Sequence, residues 1–198
     1  RYEMAKLFRR ANRSEERIQF VFVSEWMRII SEADVGVRLK RTNIIPNFVD
    51  NNFFQQVEKR PGDNRKILLI RSFNSAKYAN DIAVAAIEKL SRVYKGFEQL
   101  EFTNVKLINR SLDHEEIRSL HSRHGIFLCP TRQDAQGVSM CEAMSSGLVP
   151  VASNNTAIPE FLTEREGYLC NSVSEVATAL ADLADNDILF MDKAAAAG

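Results

Sequence analysis

The sequence predicts an α/β fold, in which a Rossmann-like, mostly parallel sheet is flanked by helices. Three observations predict it. Short apolar runs bounded by Gly, Pro or Asn alternate with stretches of helical periodicity, which is typical of βαβ units. Apolar residues make up 45% of the 198 residues, enough for a packed core. The sequence shows no internal repeat and no low-complexity linker that would favour another architecture.

The candidate strands are apolar runs that end at turn-forming residues. In chain order they occupy residues 20–23, 43–46, 66–70, 100–102, 105–108, 126–129 and 148–152. The run at 66–70 is the clearest central strand, because it ends in four consecutive aliphatic residues.

The candidate helices lie between these strands. Periodicity and caps predict helices at residues 24–31, 79–93, 113–125, 138–145 and 172–183. Asp113 with Glu116, and Ser172 with Glu175, have the spacing of capping boxes, and Gly96 is the expected C-cap of the second helix. The chain starts in a charged helical stretch and stops inside an alanine-rich helix, so we expect both ends to be cut from a longer protein.

A polar stretch at residues 47–64, with the turn signal Pro61-Gly62, is the best candidate for a domain boundary. It separates residues 1–43, which we interpret as the remnant of one domain, from a Rossmann-like domain at residues 44–198.

Charge and cysteine content narrow the function classes. Lys and Arg number 26, and so do Asp and Glu, so net charge gives no reason to expect nucleic acid or an anionic membrane as the partner. The three cysteines have no C-x-x-C spacing, which fits a reduced, cytoplasmic protein. The longest uncharged run, 143–159, contains Gly, Pro and Asn and is not a transmembrane helix, and the first residues have no signal-peptide pattern.

The segment at residues 130–144 carries the most functional information. It predicts a strand end, a loop, a glycine at position 137 and a helix N-terminus, where free N–H groups and the helix dipole favour a phosphate. Glu142, one turn into the helix, is placed to reach back over the same ligand. Two simpler interpretations stay open: Ser139 and Glu142 have capping-box spacing, and Asp134 alone is more often a solvated loop acid.

The three histidines are weaker candidates. His121 and His124 have a spacing that suits a metal site, but neither a Cys nor a third well-placed ligand joins them. We therefore expect no metal, and we expect surface or helix-end positions for His114, His121 and His124.

Several ordered motifs resemble the large retaining glycosyltransferase family 4, which has the GT-B fold. Its donor-site signature has two acidic residues eight positions apart, with Gly and Ser between them and Ala-Met after the second. The matching positions here are Asp134, Gly137, Ser139, Glu142, Ala143, Met144 and Gly147. Residues 22–24, 45–50, 149–153 and 158–160 also resemble family motifs, so the match covers most of residues 20–170.

The resemblance implies a role for each matching residue. Glu142 would hydrogen-bond the ribose of a nucleotide, and the N–H groups of Gly137, Val138 and Ser139 would hold the diphosphate or the sugar. Asp134 takes the place of the glutamate that contacts the donor sugar. Two further positions are implied: Lys77 falls where a lysine pairs with the diphosphate, and the loop that contains Arg110 would lie near the base.

Three departures from the family pattern are present. The first acid is Asp134, one methylene shorter than the family's Glu. Ser72 stands where the family has arginine, so Arg71 and Arg132 are the candidate replacements. A strand and helix that the family has before residue 105 are either deleted or missing from this sequence, and we favour missing residues because deleting a sheet unit would disturb the fold.

The resemblance implies the donor-binding half of a metal-independent, retaining glycosyltransferase. It would move a sugar from a nucleoside-diphosphate sugar to a saccharide or other hydroxyl acceptor, with no cofactor beyond the donor. Residues 1–43 would then be a remnant of the acceptor-side domain and the interdomain crossover. A cytoplasmic enzyme of polysaccharide biosynthesis is expected, with peripheral membrane contact through the N-terminal domain, and the fragment alone would be inactive. The alternatives are a non-catalytic nucleotide-binding module and another GT-B enzyme, such as an epimerase or a pyridoxal-phosphate-dependent phosphorylase.

Overall fold

The computed structural model describes residues 2–14, 18–70, 75–93, 101–104 and 112–198. The chain divides into two compact units, Arg1–Phe48 and Val49–Gly198. The boundary predicted from composition, between residues 43 and 44, lies just before this division.

The first unit is a two-stranded parallel sheet with two helices. Its elements are α1 (Tyr2–Arg13), β1 (Phe20–Phe22), α2 (Glu25–Val35) and β2 (Thr42–Ile44). Phe20 and Phe22 of β1 are buried with Val35 and Leu39 in a small apolar core. This arrangement confirms the two predicted strands.

The second unit contains a five-stranded sheet. Its strands are β3 (Lys66–Leu69), β4 (Glu101–Asn104), β5 (Ile126–Cys129), β6 (Val149–Ser153) and β7 (Tyr168–Cys170). They lie in the order β4-β3-β5-β6-β7, and every neighbouring pair is parallel. The predicted parallel α/β fold is thus confirmed, and the carboxyl ends of all five strands meet at one edge.

Helices cover both faces of this sheet. They are α3 (Asn80–Val93), α4 (His114–His121), α5 (Val138–Ser145), α6 (Val173–Asp185) and α7 (Asp187–Ala197). Side chains alternate between the faces, so Ile67 and Leu69 of β3 pack in the core with α3 and α6, while Leu68 packs in the opposite core with α5. The described residues include no helix long and apolar enough to cross a membrane.

Most predicted helices are confirmed, but α2 and α4 end at residues other than those predicted. The Asp113–Glu116 capping box is present. However, α2 continues past residue 31 to Val35 and stops where Gly36 turns left-handed, at φ 68°. α4 ends at His121 instead of residue 125, because the Gly125 N–H donates to the Lys66 carbonyl, 3.1 Å away, and the chain enters β5. The expected C-cap at Gly96 and the strand at residues 105–108 lie outside the described residues.

His114 and His121 lie at the two ends of α4, in agreement with the expected helix-end positions, but the side chains of His121 and His124 are buried and not at the surface. His121 lies between the rings of Phe54 and Phe127, with centroids 5.7 and 6.1 Å away. Its Nδ1 is 3.0 Å from the Ser146 hydroxyl. Burial, together with the neighbouring charges of Lys59 and His124, lowers the pKa of His121 to about 4.

This buried imidazole makes the stability of the protein pH-dependent. In the unfolded chain His121 takes up a proton near its ordinary pKa of about 6.5, whereas in the fold it does so only near 4. The unfolded state binds more protons in that window, so His121 alone removes roughly 2–3 kcal/mol from the free energy of unfolding as pH falls from about 7 to 4. We expect urea denaturation to show a shallower pH dependence in His121→Gln than in the wild type.

The exposed His114 provides the matched control for this measurement. His114→Gln makes the same change at an exposed position of the same helix, and its slope is the reference for that of His121→Gln. If both variants have the same slope between pH 7 and 4, His121 is not the titrating group.

Candidate functional site at the carboxyl edge of the sheet

Three loops meet at the carboxyl edge of the sheet, and Thr131 joins them. The loops follow β3, β5 and β6. The Thr131 N–H donates to the Ser153 hydroxyl at the end of β6, 3.0 Å away. Its own hydroxyl donates to the Lys77 carbonyl in the loop after β3, also at 3.0 Å. The parallel sheet therefore brings the predicted residues Lys77 and Asp134 into neighbouring loops.

Asp134 organises the loop that precedes α5. Its Oδ1 accepts hydrogen bonds from the N–H groups of Gly137 and Gln136, at 2.8 and 3.2 Å. This closes a tight turn just before the helix. The side chain is half-buried, so the interpretation as a solvated loop acid does not hold. Within the described part of the chain, Oδ2 accepts no hydrogen bond.

The N-terminus of α5 is open. Gly137 is the N-cap, with φ 79° and no side-chain capping bond. A Cβ there would lie 2.8 Å from Cδ1 of Ile158, so the turn requires glycine. The predicted capping box of Ser139 and Glu142 is wrong, because the helix already begins at Val138.

Two backbone donors remain unused at this helix end. The N–H groups of Val138 and Ser139 come before the first helical hydrogen bond, and among the described residues nothing accepts from them. The Gly137 N–H, predicted to join them, is occupied by Asp134. Two free N–H groups on an open helix end can bind an anionic oxygen.

Glu142 is a half-buried acid in the same helix. No described residue donates a hydrogen bond to its carboxylate. Burial raises the pKa of Glu142, and the nearby His114 opposes this shift. A partly desolvated carboxylate without a donor is a suitable acceptor for hydroxyl groups of a ligand.

Lys77 lies in a short 3-10 turn, Ala76–Tyr78. The Lys77 carbonyl accepts from the Arg132 N–H at 2.8 Å, which fixes the turn beside the loop after β5. The exposed Lys77 ammonium lies 5.1 Å from the centre of the Tyr78 ring. This leaves the charge available to an anion at the same edge of the sheet.

Of the other predicted cations, the structure describes Arg132, which lies beside the Lys77 turn but has an engaged side chain. The guanidinium of Arg132 makes two hydrogen bonds to the carboxylate of Asp81, at 2.8 and 2.6 Å, and one to the Ala76 carbonyl. It already has an acidic partner. Arg71 and Arg110 lie outside the described residues. The described part of the chain holds no group of three His, Cys, Asp or Glu side chains that would suit a metal ion.

No individual role was predicted for the residues of the loop after β6. Ser153, Asn155 and Thr156 all hydrogen-bond the segment at residues 131–134. The only sequence signal was a run of small polar residues after a buried strand, which also describes an ordinary surface turn.

Comparisons with known proteins show a family and a fold for this chain. The family described as "Glycosyl transferases group 1" matches residues 64–186. Among solved structures, a TarM mutant from S. aureus, in complex with Fondaparinux, alpha-GlcNAc-glycerol and UDP, aligns with a TM-score of 0.76 and 16% identity, over 100% of this chain and 42% of TarM. HepE from Anabaena, in complex with UDP and glucose, aligns with a TM-score of 0.69 and 15% identity, over 99% of this chain and 62% of HepE.

A third structure corresponds mainly to the second unit. It is the C-terminal domain of LpcC, a glycosyl transferase group 1 family protein from Francisella tularensis, with a TM-score of 0.55, 20% identity and coverage of 74% of this chain and 93% of that domain. At these identities the alignments show a shared GT-B fold. This chain spans less than half of TarM. A search of curated protein sequences gives no match.

The turn closed by Asp134 predicts a measurable contribution to stability. Asp134→Ala removes the acceptor of two backbone N–H groups before α5, so we expect the free energy of unfolding to fall by about 1 kcal/mol, as for the loss of a helix cap. Asp134→Asn keeps the acceptor oxygen and should lose much less. Urea denaturation followed by circular dichroism measures both, and equal losses would show that the charge, and not the hydrogen bonds, stabilises the turn.

Proposed function

This chain belongs to the group 1 glycosyl transferases, and we propose that its second unit binds the nucleoside-diphosphate sugar of a retaining family 4 enzyme. The whole enzyme would transfer the sugar to a hydroxyl of a saccharide or other acceptor. The acceptor site would lie largely in the rest of the protein, so this chain alone would bind donor weakly and be inactive.

One observation carries the proposal. The open N-terminus of α5 and the carboxylate of Glu142, which accepts no hydrogen bond from the described residues, lie one helical turn apart in the same element. The first offers N–H donors, at Val138 and Ser139, for an anionic oxygen. The second is an acceptor for neighbouring hydroxyl groups. A molecule that carries phosphate next to a ribose satisfies both requirements, and a nucleoside diphosphate is such a molecule.

The chemistry follows from what these groups would stabilise. When the glycosidic bond to the diphosphate breaks, negative charge grows on the departing phosphate oxygens. The N–H groups of Val138 and Ser139 and the ammonium of Lys77 would stabilise that charge. In the retaining mechanism the acceptor hydroxyl attacks from the face that the diphosphate leaves, and a donor phosphate oxygen takes up its proton. The protein then positions the donor and the acceptor and stabilises the charge on the departing diphosphate, and this route requires no metal.

The position of Asp134 modifies this proposal. Oδ1 is used within the loop, so a contact with the donor sugar would fall to Oδ2. The same loop geometry makes Asp134 indirectly important, because it keeps the Gly137 N–H occupied and the two following N–H groups open.

Uridine is the first base to test. TarM and HepE were crystallised with UDP, and HepE also with glucose. We further propose a cytoplasmic site of action in polysaccharide biosynthesis, with peripheral membrane contact through the N-terminal part of the protein.

A non-catalytic nucleotide-binding module is the second candidate. Two observations favour it: Asp134 has one oxygen engaged in the loop, and Arg132 is paired with Asp81 instead of standing free. Transfer or hydrolysis of a nucleotide sugar by a longer protein that includes this chain would exclude a purely non-catalytic role.

Calorimetric or NMR titration with UDP, GDP and ADP and their sugar conjugates tests donor binding. We expect one nucleotide to bind, and Glu142→Ala to weaken it by about 1–3 kcal/mol, because hydrogen bonds to a charged group are lost. Binding should also weaken as pH falls, and at a higher pH than an ordinary glutamate would give, because burial raises the pKa of Glu142.

Glu88→Ala is the control for that titration. Glu88 is an exposed acid in α3, on the other face of the sheet, and its removal should leave the affinity unchanged. If no nucleotide binds the folded chain at millimolar concentration, or if Glu142→Ala and Glu88→Ala behave alike, the proposed donor site is wrong.

A further inference from the structure

The loop after β6, residues 154–157, is bonded along its length to the segment that leads into α5. The Asn155 side-chain amide donates to the Thr131 carbonyl at 2.8 Å. The Asp134 N–H donates to the hydroxyl of Thr156 at 3.2 Å, and the Ala157 N–H donates back to the Asp134 carbonyl at 3.4 Å. Asp134 is therefore held through both of its backbone polar groups.

Thr156 occupies a backbone conformation that threonine rarely adopts. Its φ is 52°, in the left-handed region, where a β-branched side chain meets steric resistance. A strained residue of this kind persists only where surrounding contacts determine it. Here the contacts are known: the Thr156 hydroxyl donates to Oδ1 of Asn155 at 3.3 Å and accepts from the Asp134 N–H.

These bonds form a continuous path to the open helix end. Asn155 fixes the Thr156 hydroxyl, and Thr156 fixes the backbone of Asp134. The Asp134 carboxylate then holds the Gly137 N–H at 2.8 Å. Gly137 is the N-cap of α5, so its orientation sets the direction of the next two N–H groups.

We propose that Thr156 is a positioning residue for the donor site. It acts through Asp134 and Gly137, without touching the ligand, to aim the N–H groups of Val138 and Ser139. The ligand part of this inference rests on the proposed function, whereas the positioning of Asp134 is a property of the protein alone. A merely structural Thr156 would stabilise the loop and leave the affinity of the folded protein unchanged.

Three substitutions separate the hydroxyl from the backbone strain. Thr156→Ser keeps the hydroxyl. Thr156→Val keeps the shape and the strain but removes the hydroxyl. Thr156→Gly removes the hydroxyl and also accepts a positive φ without steric cost. Thr178→Val, at an exposed position in α6, is the matched control for losing a threonine hydroxyl.

Amide hydrogen exchange measured by NMR reports the positioning without any ligand. We expect the Asp134 N–H to exchange about three- to tenfold faster in Thr156→Val and Thr156→Gly, as expected when one net hydrogen bond is lost. Thr156→Ser and Thr178→Val should match the wild type. Unchanged exchange of the Asp134 N–H in Thr156→Val overturns the proposal.

Nucleotide titration of the same folded variants tests the consequence for the site. We expect Thr156→Val and Thr156→Gly to bind the nucleotide about three- to tenfold more weakly, with Thr156→Ser restoring the affinity. Wild-type affinity in Thr156→Gly, together with faster exchange at Asp134, overturns the link from Thr156 to the donor site. If the wild type binds no nucleotide, the proposed function fails, and the exchange rates alone decide whether Thr156 positions Asp134.

Discussion

The common carboxyl edge of the parallel sheet is the constraint on which the candidate site depends. Residues from the loops after β3, β5 and β6 are far apart in the chain, and they meet only because three parallel strands end together. Thr131 then holds the loops in place, because its N–H group donates to Ser153 after β6 and its hydroxyl donates to the Lys77 carbonyl after β3. Loops on a sheet edge are otherwise the most mobile part of such a fold. Here several of their described backbone polar groups are bonded across the loops, and the N–H groups of Val138 and Ser139 at the start of α5 have no acceptor among the described residues.

Much of this fold follows from local sequence patterns. The strand at 126–129 and the helix at 138–145 are confirmed. Both were predictable because the signals that define them, an apolar run followed by Pro130 and a helix stopped by Gly147, lie within a few residues of the elements. The Asp113 capping box is equally local. Patterns of this range do not contain tertiary partners, which is why the burial of His121 was not predicted: its ring is buried by Phe54 and Phe127, and Phe54 is distant in sequence.

In the candidate site, too, features set by neighbouring residues were predictable, and contacts between distant segments were not. The helix N-terminus, Gly137 and the placement of Glu142 were predictable, because one strand end, one glycine and one helical turn define them. The turn that Asp134 closes was not, because its spacing also suits an exposed acid. The pairing of Arg132 with Asp81 joins the loop after β5 to the first turn of α3, and the close approach of Ile158 to Gly137 depends on how the chain returns after β6. Such contacts between segments require the three-dimensional structure.

The ion pair of Arg132 and Asp81 has a consequence for the binding of anions. The carboxylate of Asp81 binds the guanidinium through two hydrogen bonds, a geometry that a phosphate group can also adopt. A phosphate that bound the same two nitrogens would have to displace the Asp81 carboxylate, so that contact would exchange one anion for another. Arg132 would then add less to the affinity for such a phosphate than a guanidinium without an acidic partner would.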